Sequence, residues 1–410
     1  MKVLILTADS NGGYPVPAVK GGAVSTLIEH LVVGNNKKQL CDMEIVSFYD
    51  TEAEKKANSE YPNVKFTWIR IPGVFKLLDK CAFNFIRIAK NNEKAISFRS
   101  PFSLLWYIHK ARTIVNRTDA DKVVIENNIP LAHVMKGSSF KGQWYYHFHN
   151  VPRIDAGCRE EFQKVTKFLC VSQFVADQIT DENSAIGQIE PERTTVLLNC
   201  VDTQMFRLIE KNDPKLAELR EKYELEADDF ILVFVGRLTE EKGPDKVLEA
   251  MKSLPENVRC LIVGSLLCGL NMKDAFQEKL HQLASDLGNR AIFIGYIPQT
   301  ELPYIYNLAD VAVLPSMWDE PAGLTNIEAM ACGIPVITTD AGGIKEYVKD
   351  MVLVIERDEN ISNSIVNCVL NIMNNEVSFA EPNDKLRNFI LDNYKVESYI
   401  ERFLKLITEN

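Results

Sequence analysis

Short apolar runs rich in valine, isoleucine and phenylalanine alternate with longer amphipathic stretches along nearly the whole chain. Strands buried on both faces of a parallel sheet produce such near-continuous apolar runs, and the stretches between them supply the covering helices. A charged stretch at 210–229 divides the runs into two series. The pattern therefore predicts two consecutive α/β domains, each with a doubly wound parallel sheet. The first series lies at 3–7, 44–48, 122–125, 144–148, 168–171 and 195–198, and the second at 230–235, 259–263, 291–294, 311–314, 335–338 and 351–354.

The length of the chain supports the same division. At about 150 residues per domain, a chain of 410 residues forms two or three domains. We predict an N-terminal domain at 1–202 and a C-terminal domain at 203–382. Apolar residues recur at helical spacing in 383–410, so this segment is predicted to form a helix that crosses back to the first domain.

Composition excludes several classes of protein. An apolar fraction of 46% with 25% charged residues is typical of a globular protein, and a net charge of −10 argues against nucleic acid as a partner. The longest apolar run, 260–270, is too short for a spanning helix, which needs about 18 residues. Nine cysteines without a Cys-x-x-Cys pair indicate reduced thiols, so we expect a cytoplasmic protein.

One segment, 70–117, departs from this acidic average. Its ten lysines and arginines against two acids give a local charge of +8. Two interpretations stay open, namely solvated amphipathic helices, or a surface for an anionic lipid or acceptor at the inner face of a membrane, which the interleaved aromatic residues suit. The cations are Arg70, Lys76, Lys80, Arg87, Lys90, Lys94, Arg99, Lys110, Arg112 and Arg117, and the acids are Asp79 and Glu93.

The first chemical motif holds two glutamates, Glu320 and Glu328, after the run at 311–314. Proline and glycine between them predict that Glu320 lies in a loop and Glu328 on a helix that starts near Asn326. The two carboxylates can then line one pocket at different depths. The start of this helix offers unpaired backbone N–H groups at Gly323, Leu324 and Thr325, which suit a diphosphate.

The second motif, Gly236-Arg237-Leu-Thr-Glu-Glu-Lys242-Gly243, follows the run at 230–235. Arginine supplies a planar fork of donors and lysine a mobile charge, and together they suit a departing diphosphate. The alternative is that Arg237 and Lys242 pair with Glu240 and Glu241 at the surface.

Two further candidates lie in the N-terminal half. Gly21-Gly22 precedes a predicted helix, where backbone N–H groups can approach an anion; a flexible turn is the alternative. The dinucleotide fingerprint Gly-x-Gly-x-x-Gly is absent, which disfavours a dehydrogenase. His147 and His149 end the run at 144–148 on one face, and we expect His149 in the site and His147 in a structural role. Glu126, which ends the run at 122–125, could face an acceptor or belong to a polar turn.

These motifs together resemble the signature of the family-4 retaining GT-B glycosyltransferases, the glycosyl transferases group 1. The likeness is strong over 231–348 and looser over 1–202. It implies the GT-B fold, in which two Rossmann-like domains face each other across a cleft, with the acceptor on the N-terminal domain and the nucleotide sugar on the C-terminal one.

The resemblance also implies roles for single residues. Glu320 contacts hydroxyls of the donor sugar, and Glu328 holds the ribose. Arg237 and Lys242 stabilise the leaving diphosphate, His149 lies beside the transferred sugar, and Ile297 contacts the base. Gly21, Gly22 and Gly236 belong to the loops around the donor.

Three positions depart from the family pattern. Asn150 stands where the family has aspartate after its histidine, and Cys200 replaces a glycine of the loop between the domains. Gly264-Ser265-Leu266 replaces Gly-Asp-Gly, which affects recognition of the base.

The resemblance implies transfer of a hexose, with retention of configuration, from a UDP- or GDP-sugar to a glycan or lipid-linked hydroxyl in bacterial surface glycan synthesis. Protein or small-molecule glycosylation, a GT-B nucleotide-sugar epimerase and a non-catalytic binding module remain alternatives. Cationic side chains already supply the countercharge for the diphosphate, which predicts that no metal and no cofactor is needed.

Overall fold

Each half of the chain builds its own parallel sheet. The computed structural model describes residues 1–8, 14–89, 100–264, 275–374 and 382–409. Packing divides the chain into unit 1, Met1–Cys200 with Val396–Asn410, and unit 2, Val201–Lys395. Part of the basic segment, including Lys90, Lys94 and Arg99, lies outside the described residues, as do Ser265 and Leu266.

The strands of unit 1 form one sheet of seven parallel strands. They are β1 Lys2–Thr7, β2 Asp42–Phe48, β3 Lys65–Ile69, β4 Lys122–Glu126, β5 Gln143–Phe148, β6 Lys167–Cys170 and β7 Thr194–Val196. Their order is β3-β2-β1-β4-β5-β6-β7. Val3 to Leu6 in β1 are fully buried, as expected for a central strand covered on both faces.

Helices cover this sheet. They are α1 Ala23–Lys38, α2 Thr51–Glu60, α3 Gly73–Ala89, α4 Pro101–Val115, α5 Arg159–Phe162, α6 Gln173–Thr180 and the last helix, α15 Val396–Thr408, with short 3₁₀ helices at Ile129–Met135 and Pro191–Arg193. Helix α15 packs against α1. A Cβ atom at Gly34 would lie 2.7 Å from Ile400 Cγ2, so glycine is required where the two helices cross.

Unit 2 repeats the plan with six parallel strands. They are β8 Phe230–Val235, β9 Val258–Val263, β10 Ala291–Gly295, β11 Val311–Leu314, β12 Val336–Thr339 and β13 Leu353–Ile355, in the order β10-β9-β8-β11-β12-β13. The helices are α7 Pro214–Lys222, α8 Pro244–Met251, α9 Ala275–Leu287, α10 Leu302–Leu308, α11 Leu324–Ala331, α12 Ile344–Val348, α13 Ile361–Met373 and α14 Pro382–Asn393, with 3₁₀ helices at Glu240–Lys242, Gly288–Arg290 and Gln299–Glu301.

Two elements differ from the sequence prediction. Strand β3 was not predicted, because it lies at the edge of its sheet and is mostly half-exposed, so it lacks a continuous apolar run. The segment predicted to cross back as one helix from residue 383 is two helices. Helix α14 stays with unit 2, where Arg387 donates to the Ala331 carbonyl at 2.6 Å, and the return to unit 1 starts at Val396.

The strand order places one crevice in each sheet. In unit 1, β2 and β3 extend the sheet on one side of β1, and β4 to β7 extend it on the other side, so the strand order reverses between β1 and β4. In unit 2 the order reverses in the same way between β8 and β11. Ligands of doubly wound sheets bind beyond the carboxyl ends of the strands at such a switch point. Within the described ranges, no helix combines the length and the apolar character that crossing a membrane requires.

Candidate functional site

In unit 2, the loops after β8 and β11 lie against each other at the switch point. The Met317 amide donates to the Glu241 carbonyl at 2.8 Å. Gly243 has φ +68°, and a Cβ atom there would lie 2.4 Å from the Pro315 carbonyl oxygen. Only glycine allows this approach, which brings the end of the Gly236–Gly243 loop beside the loop that carries Glu320.

Glu320 is buried and held by two side chains. Its Oε1 accepts a hydrogen bond from Ser316 Oγ at 2.7 Å and forms an ion pair with Lys242 Nζ. The side chain of Glu320 is 9% exposed and that of Lys242 24%, so the pair is only partly screened by solvent. Lys242 therefore pairs inside the crevice with Glu320, and not at the surface with Glu240 or Glu241.

The backbone of Glu320 is fixed by two glycines that the sequence reasoning did not single out. The Gly343 amide donates to the Glu320 carbonyl at 2.7 Å. Gly342 has φ +57°, and a Cβ atom there would lie 2.4 Å from the backbone carbonyl oxygen of Glu320 and 2.8 Å from its backbone nitrogen. The Gly-Gly pair after β12 is the only signal in the sequence, and it becomes informative once β12 is known to lie beside β11.

Helix α11 begins directly after this loop. Gly323 precedes it with φ +67°, and a Cβ atom there would lie within 3.0 Å of both Asn326 Nδ2 and Ile344 Cγ1. No side chain caps the helix, and its first turn contains no acid. The amides of Leu324 and Thr325 thus belong to a helix start with a positive dipole end, which suits an anion.

Glu328 lies one turn further along α11 and is half-buried. Gln299 Nε2 donates to its Oε1 over a long 3.4 Å. Burial raises the pKa of Glu328 to about 7, and hydrogen bonding from Gln299 and Tyr306 only partly opposes this. The carboxyl group is therefore about half protonated at neutral pH and poorly supplied with donors, so it can accept further hydrogen bonds.

The other predicted residues of unit 2 lie on the loops after β8 and β10. Arg237 is 53% exposed and pairs with Glu241 at 3.4 Å, which is the surface pairing considered as the alternative. The Gly236 amide donates to the Val263 carbonyl at 3.0 Å, and a Cβ atom on Gly264 would collide with the Gly236 oxygen. Ile297 is half-buried in the loop after β10, two residues before Gln299.

In unit 1, His149 lies in a buried cluster with Glu126 and His147. Strands β4 and β5 pair with Glu126 opposite His147. One carboxylate oxygen, Glu126 Oε2, lies 2.8 Å from His149 Nε2 and 3.0 Å from His147 Nδ1. The sequence leaves Glu126 open to an acceptor contact or a polar turn. In the structure its carbonyl accepts from the Asn128 amide in a turn at 2.6 Å, and its side chain is buried, at 1% exposure, against the two histidines.

The electrostatics of this cluster fix the protons. Burial alone raises the pKa of Glu126, but the two histidines outweigh it and lower that pKa to about 2. Burial, and then the charge of His147, lower the pKa of His149 to about 4. Since an ionised carboxylate can only accept, Nε2 of the neutral His149 carries the proton. Its Nδ1 is then a buried acceptor, and it has no hydrogen-bond partner among the described residues.

The Gly21-Gly22 loop leads into α1. Both glycines have positive φ, +73° and +98°, which explains the residue type. The Gly21 amide donates to the Ala18 carbonyl at 3.0 Å, so within this structure it is not available to an anion. Gly22 precedes α1, whose first turn has no side-chain cap and no acid.

Two clusters among the described residues have ligand atoms within 4.8 Å of one another, a spacing that a divalent metal could use. One is Glu126 with His147 and His149; the other is His133 with Cys158 and Glu161. In the first, the protonated Nε2 of His149 already donates to the carboxylate. In the second, burial raises the pKa of Cys158 to about 12, which disfavours the thiolate that metals bind.

Residues 216–408 match the family model described as Glycosyl transferases group 1. Spore coat protein SA of Bacillus subtilis is 29% identical over 191 residues, 45% of this chain and 49% of that protein, so the chain spans about half of this relative. Lipopolysaccharide 1,2-N-acetylglucosaminetransferase of Salmonella typhimurium is 24% identical over 349 residues, 81% of this chain and 85% of that protein.

Among solved structures, Alr3699/HepE of Anabaena in complex with UDP and glucose aligns over 100% of both chains, with a TM-score of 0.71 and 18% sequence identity. Such a likeness at low identity concerns the fold. Together with the two parallel-sheet units, it confirms the predicted GT-B architecture of two Rossmann-like domains.

Proposed function

We propose that this chain is a group 1 glycosyltransferase that moves a hexose from a nucleotide sugar to a hydroxyl acceptor with retention of configuration. The family match over residues 216–408 and the curated relatives support a group 1 glycosyltransferase. The observation that carries the proposal is the Lys242–Glu320 pair, which lies at the switch point of unit 2 beside the uncapped start of α11.

These groups divide the work of sugar transfer. The N–H groups at the start of α11 and the Lys242 ammonium face the charge that grows on the diphosphate as the bond from C1 to its oxygen breaks. Glu320 accepts hydrogen bonds from sugar hydroxyls, and Glu328 from the ribose. The acceptor oxygen forms its bond to C1 on the face that the diphosphate leaves, and its proton passes to a diphosphate oxygen.

Unit 1 contains a buried acceptor of hydrogen bonds, His149 Nδ1. His149 Nδ1 is buried and lacks a partner within the described structure, an arrangement that is costly unless a ligand donates to it. Glu126 keeps the proton on Nε2, so that Nδ1 stays able to accept. A substrate hydroxyl would satisfy this atom. Arg237 could leave Glu241 for the diphosphate, because exposed ion pairs contribute only about 0–1 kcal/mol.

Two other classes of function would use the same crevice. A nucleotide-sugar epimerase would convert the donor without any acceptor, and a binding module would hold the nucleotide without turnover. We favour sugar transfer over both, because the crevice combines a cation for the leaving group with a buried carboxylate for the sugar. Mass spectrometry of products formed with and without acceptor separates the three.

The first experiment is a donor screen. UDP-, GDP- and ADP-sugars are tested for thermal stabilisation, because a ligand present at 100 times its Kd raises the free energy of unfolding by about 2.7 kcal/mol. The donor that stabilises most is then used for transfer to glycan and lipid-linked acceptors of bacterial surface polysaccharides. Stabilisation by none of the nucleotide sugars would contradict the proposal.

We also propose that transfer needs no metal and no cofactor, because Lys242 and the start of α11 already supply positive charge to the diphosphate. Activity is expected to persist in excess chelator. A loss that added Mg²⁺ or Mn²⁺ restores would contradict this, and the Glu126 and Cys158 clusters would be the first places to look for the ion.

Donor binding is expected to release a proton from Glu328. In the free protein its pKa is about 7, and ribose hydroxyls that donate to the carboxylate favour the ionised form and so lower that pKa. Below pH 7 the Glu328 carboxyl group is mostly protonated and must lose its proton on binding. Affinity for the nucleotide sugar should therefore weaken as the pH falls, by up to about tenfold per pH unit, and should be constant above pH 8. The diphosphate of a nucleotide sugar does not itself titrate in this range.

Isothermal titration calorimetry from pH 5.5 to 8.5 measures this dependence. The matched control is Glu328→Gln, which cannot ionise and should show weaker binding with a flat profile. A flat profile for the unaltered protein would reject the ribose role of Glu328.

We propose that the protein acts in the cytoplasm, at the inner face of the membrane, through part of the basic segment 70–117. Helix α3 presents large apolar residues to solvent, with Phe85 74% and Leu77 60% exposed, beside Lys76 and Lys80. Exposed apolar surface flanked by lysines suits an anionic membrane surface. Flotation with phosphatidylglycerol vesicles tests this, and equal binding by Phe85→Glu would argue against it.

A further inference from the structure

Unit 1 contains a cavity that none of the site residues above lines. It has a volume of about 610 Å³ and lies beyond the carboxyl ends of β2 and β3, between the loops that follow them and helices α3 and α4. A cavity of this size is within the range of small-molecule sites. The side chains that matter for its chemistry are Lys20, Tyr49, Arg70, Lys76, Asp79 and Lys80.

The cations of this cavity outnumber its acids. In the described part of the chain, no ion pair to a carboxylate is found for Arg70, Lys76 or Lys80, whereas Lys20 pairs with Asp50 at 2.6 Å. The guanidinium of Arg70 stacks on the Tyr49 ring, 3.6 Å from its centroid. Stacking orients a guanidinium while leaving its N–H edge able to bind an anion.

The acid that lines the cavity is already engaged. Asp79 is 5% exposed, and its Oδ1 accepts from the Phe102 amide at 2.8 Å. Its Oδ2 accepts from both the amide and the hydroxyl of Ser103. The carboxylate thus compensates the positive end of α4 and is not directed at the lysines. Arg70, Lys76 and Lys80 thus lack a carboxylate counter-charge among the described residues that line the cavity.

Helix α3 connects this cavity to an apolar surface. Positions 76, 79, 80 and 83 line the cavity, at the spacing of one helix face. Positions 74, 77, 78, 81 and 85 form a second stripe, and all of them are exposed: Val74 is 58% exposed, Leu77 60%, Leu78 41% and Phe85 74%, with an exposed Cys81. A surface helix ordinarily exposes polar residues, and here apolar residues are exposed alongside Lys76 and Lys80.

We propose that the cavity binds the phosphate group of the acceptor, as a phosphate ester or diphosphate, held by Arg70, Lys76 and Lys80. This inference rests on the proposed transferase function and names the chemical class of its acceptor. Charge-assisted hydrogen bonds from arginine and lysine are the usual means of holding a phosphate. The cavity is far larger than a bare ion needs, since a water molecule occupies about 30 Å³, so it also accommodates the group that carries the phosphate.

The phosphate can belong to a lipid-linked acceptor or to a soluble phosphate ester, and the two differ in whether they carry an apolar tail. A lipid-linked phosphate can place its tail along the exposed stripe of α3, and a soluble phosphate ester fills the cavity alone. Dihexanoyl phosphatidic acid, used as monomers, and sn-glycerol 3-phosphate represent the two sources. Dihexanoyl phosphatidylcholine carries the same tails without net charge.

Binding of each probe to the full chain is measured by isothermal titration calorimetry. We expect the phosphatidic acid to bind, and the double variant Lys76→Gln, Lys80→Gln to bind it at least about tenfold more weakly, since each charge-assisted hydrogen bond contributes about 1.5–3 kcal/mol. Equal binding of glycerol phosphate would assign the site to soluble phosphate esters. The charge-matched control is Lys110→Gln, because Lys110 lies over the Trp106 ring outside the cavity.

Three results would overturn the proposal: no binding of either phosphate probe, equal affinity for phosphatidylcholine, or a double variant that binds like the unaltered chain. Nucleotide-sugar binding by the same variants separates this outcome from the fate of the transferase proposal. Lys76 and Lys80 are not among the residues assigned to the donor, so donor affinity should be unchanged in the double variant. A chain that binds phosphatidic acid but no nucleotide sugar would retain the anion site and lose the proposed function.

Discussion

Replacing Glu320 by alanine is expected to lower the kcat of sugar transfer by about a hundredfold, because one or two charge-assisted hydrogen bonds to the sugar are lost. The carboxylate is buried, held by Ser316 and Lys242, and fixed through its backbone by Gly343. Because its role concerns the sugar, the affinity for the nucleoside diphosphate should change by less than about threefold. Steady-state kinetics and calorimetry with the diphosphate measure the two effects.

Asp319→Ala is the matched control for this variant. Asp319 is the neighbouring carboxylate, but its side chain is 53% exposed and pairs with Arg357 at 2.8 Å. The Asp319→Ala variant should therefore transfer sugar at nearly the rate of the unaltered chain. Thermal unfolding of both variants verifies that the fold is kept. A Glu320→Ala enzyme with normal turnover would remove Glu320 from the site.

Replacing Lys242 by methionine is expected to lower kcat on the order of 10²–10³-fold, because the leaving diphosphate then lacks the cation that stabilises its growing charge. Methionine keeps much of the aliphatic length and removes the ammonium group, with its charge and its N–H donors. In the free protein this ammonium is paired with Glu320, so donor binding must share or replace that contact. The measurement is single-turnover transfer at saturating donor, which separates chemistry from binding.

Lys246→Met controls for the loss of one positive charge nearby. Lys246 lies on α8 and pairs with Asp245 and Glu249, outside the crevice loops. It should leave kcat nearly unchanged. The double variant of Lys242 and Glu320 should lose less than the product of the single effects, because the two side chains form one contact. Multiplicative losses, or normal single-turnover rates in Lys242→Met, would contradict the assignment.

The proposed donor site shows which features local sequence can predict and which it cannot. The loop positions of Glu320 and Lys242 could be predicted, since each motif follows an apolar run and contains glycine or proline. Their ion pair could not, because the residues are 78 positions apart and meet only through the adjacency of β8 and β11. The same limit hid Gly342, whose neighbour Glu320 belongs to a different loop.

Glu126 is a second residue whose contacts the local sequence does not specify. In the sequence it is a polar residue at the end of an apolar run, open to several interpretations. Its contact with His147 and His149 follows from the register of β4 against β5, which no local pattern specifies. That register places the Glu126 carboxylate against the two histidines as a buried anion and leaves His149 neutral. Arg237, by contrast, is predicted to stabilise the diphosphate together with Lys242, with a surface ion pair as the alternative, and in this structure it is 53% exposed and pairs with Glu241.

The sequence by itself determined the two doubly wound units, nearly all of their strands and the loops that carry the chemistry. These features depend on periodicity, on turn residues and on the burial of central strands, which are local properties. Tertiary structure alone decided which charges pair, which glycines are required by close approach, and that Arg70, Lys76 and Lys80 line one cavity. Such contacts join residues distant in the chain, and their energies depend on burial, which only the assembled fold supplies.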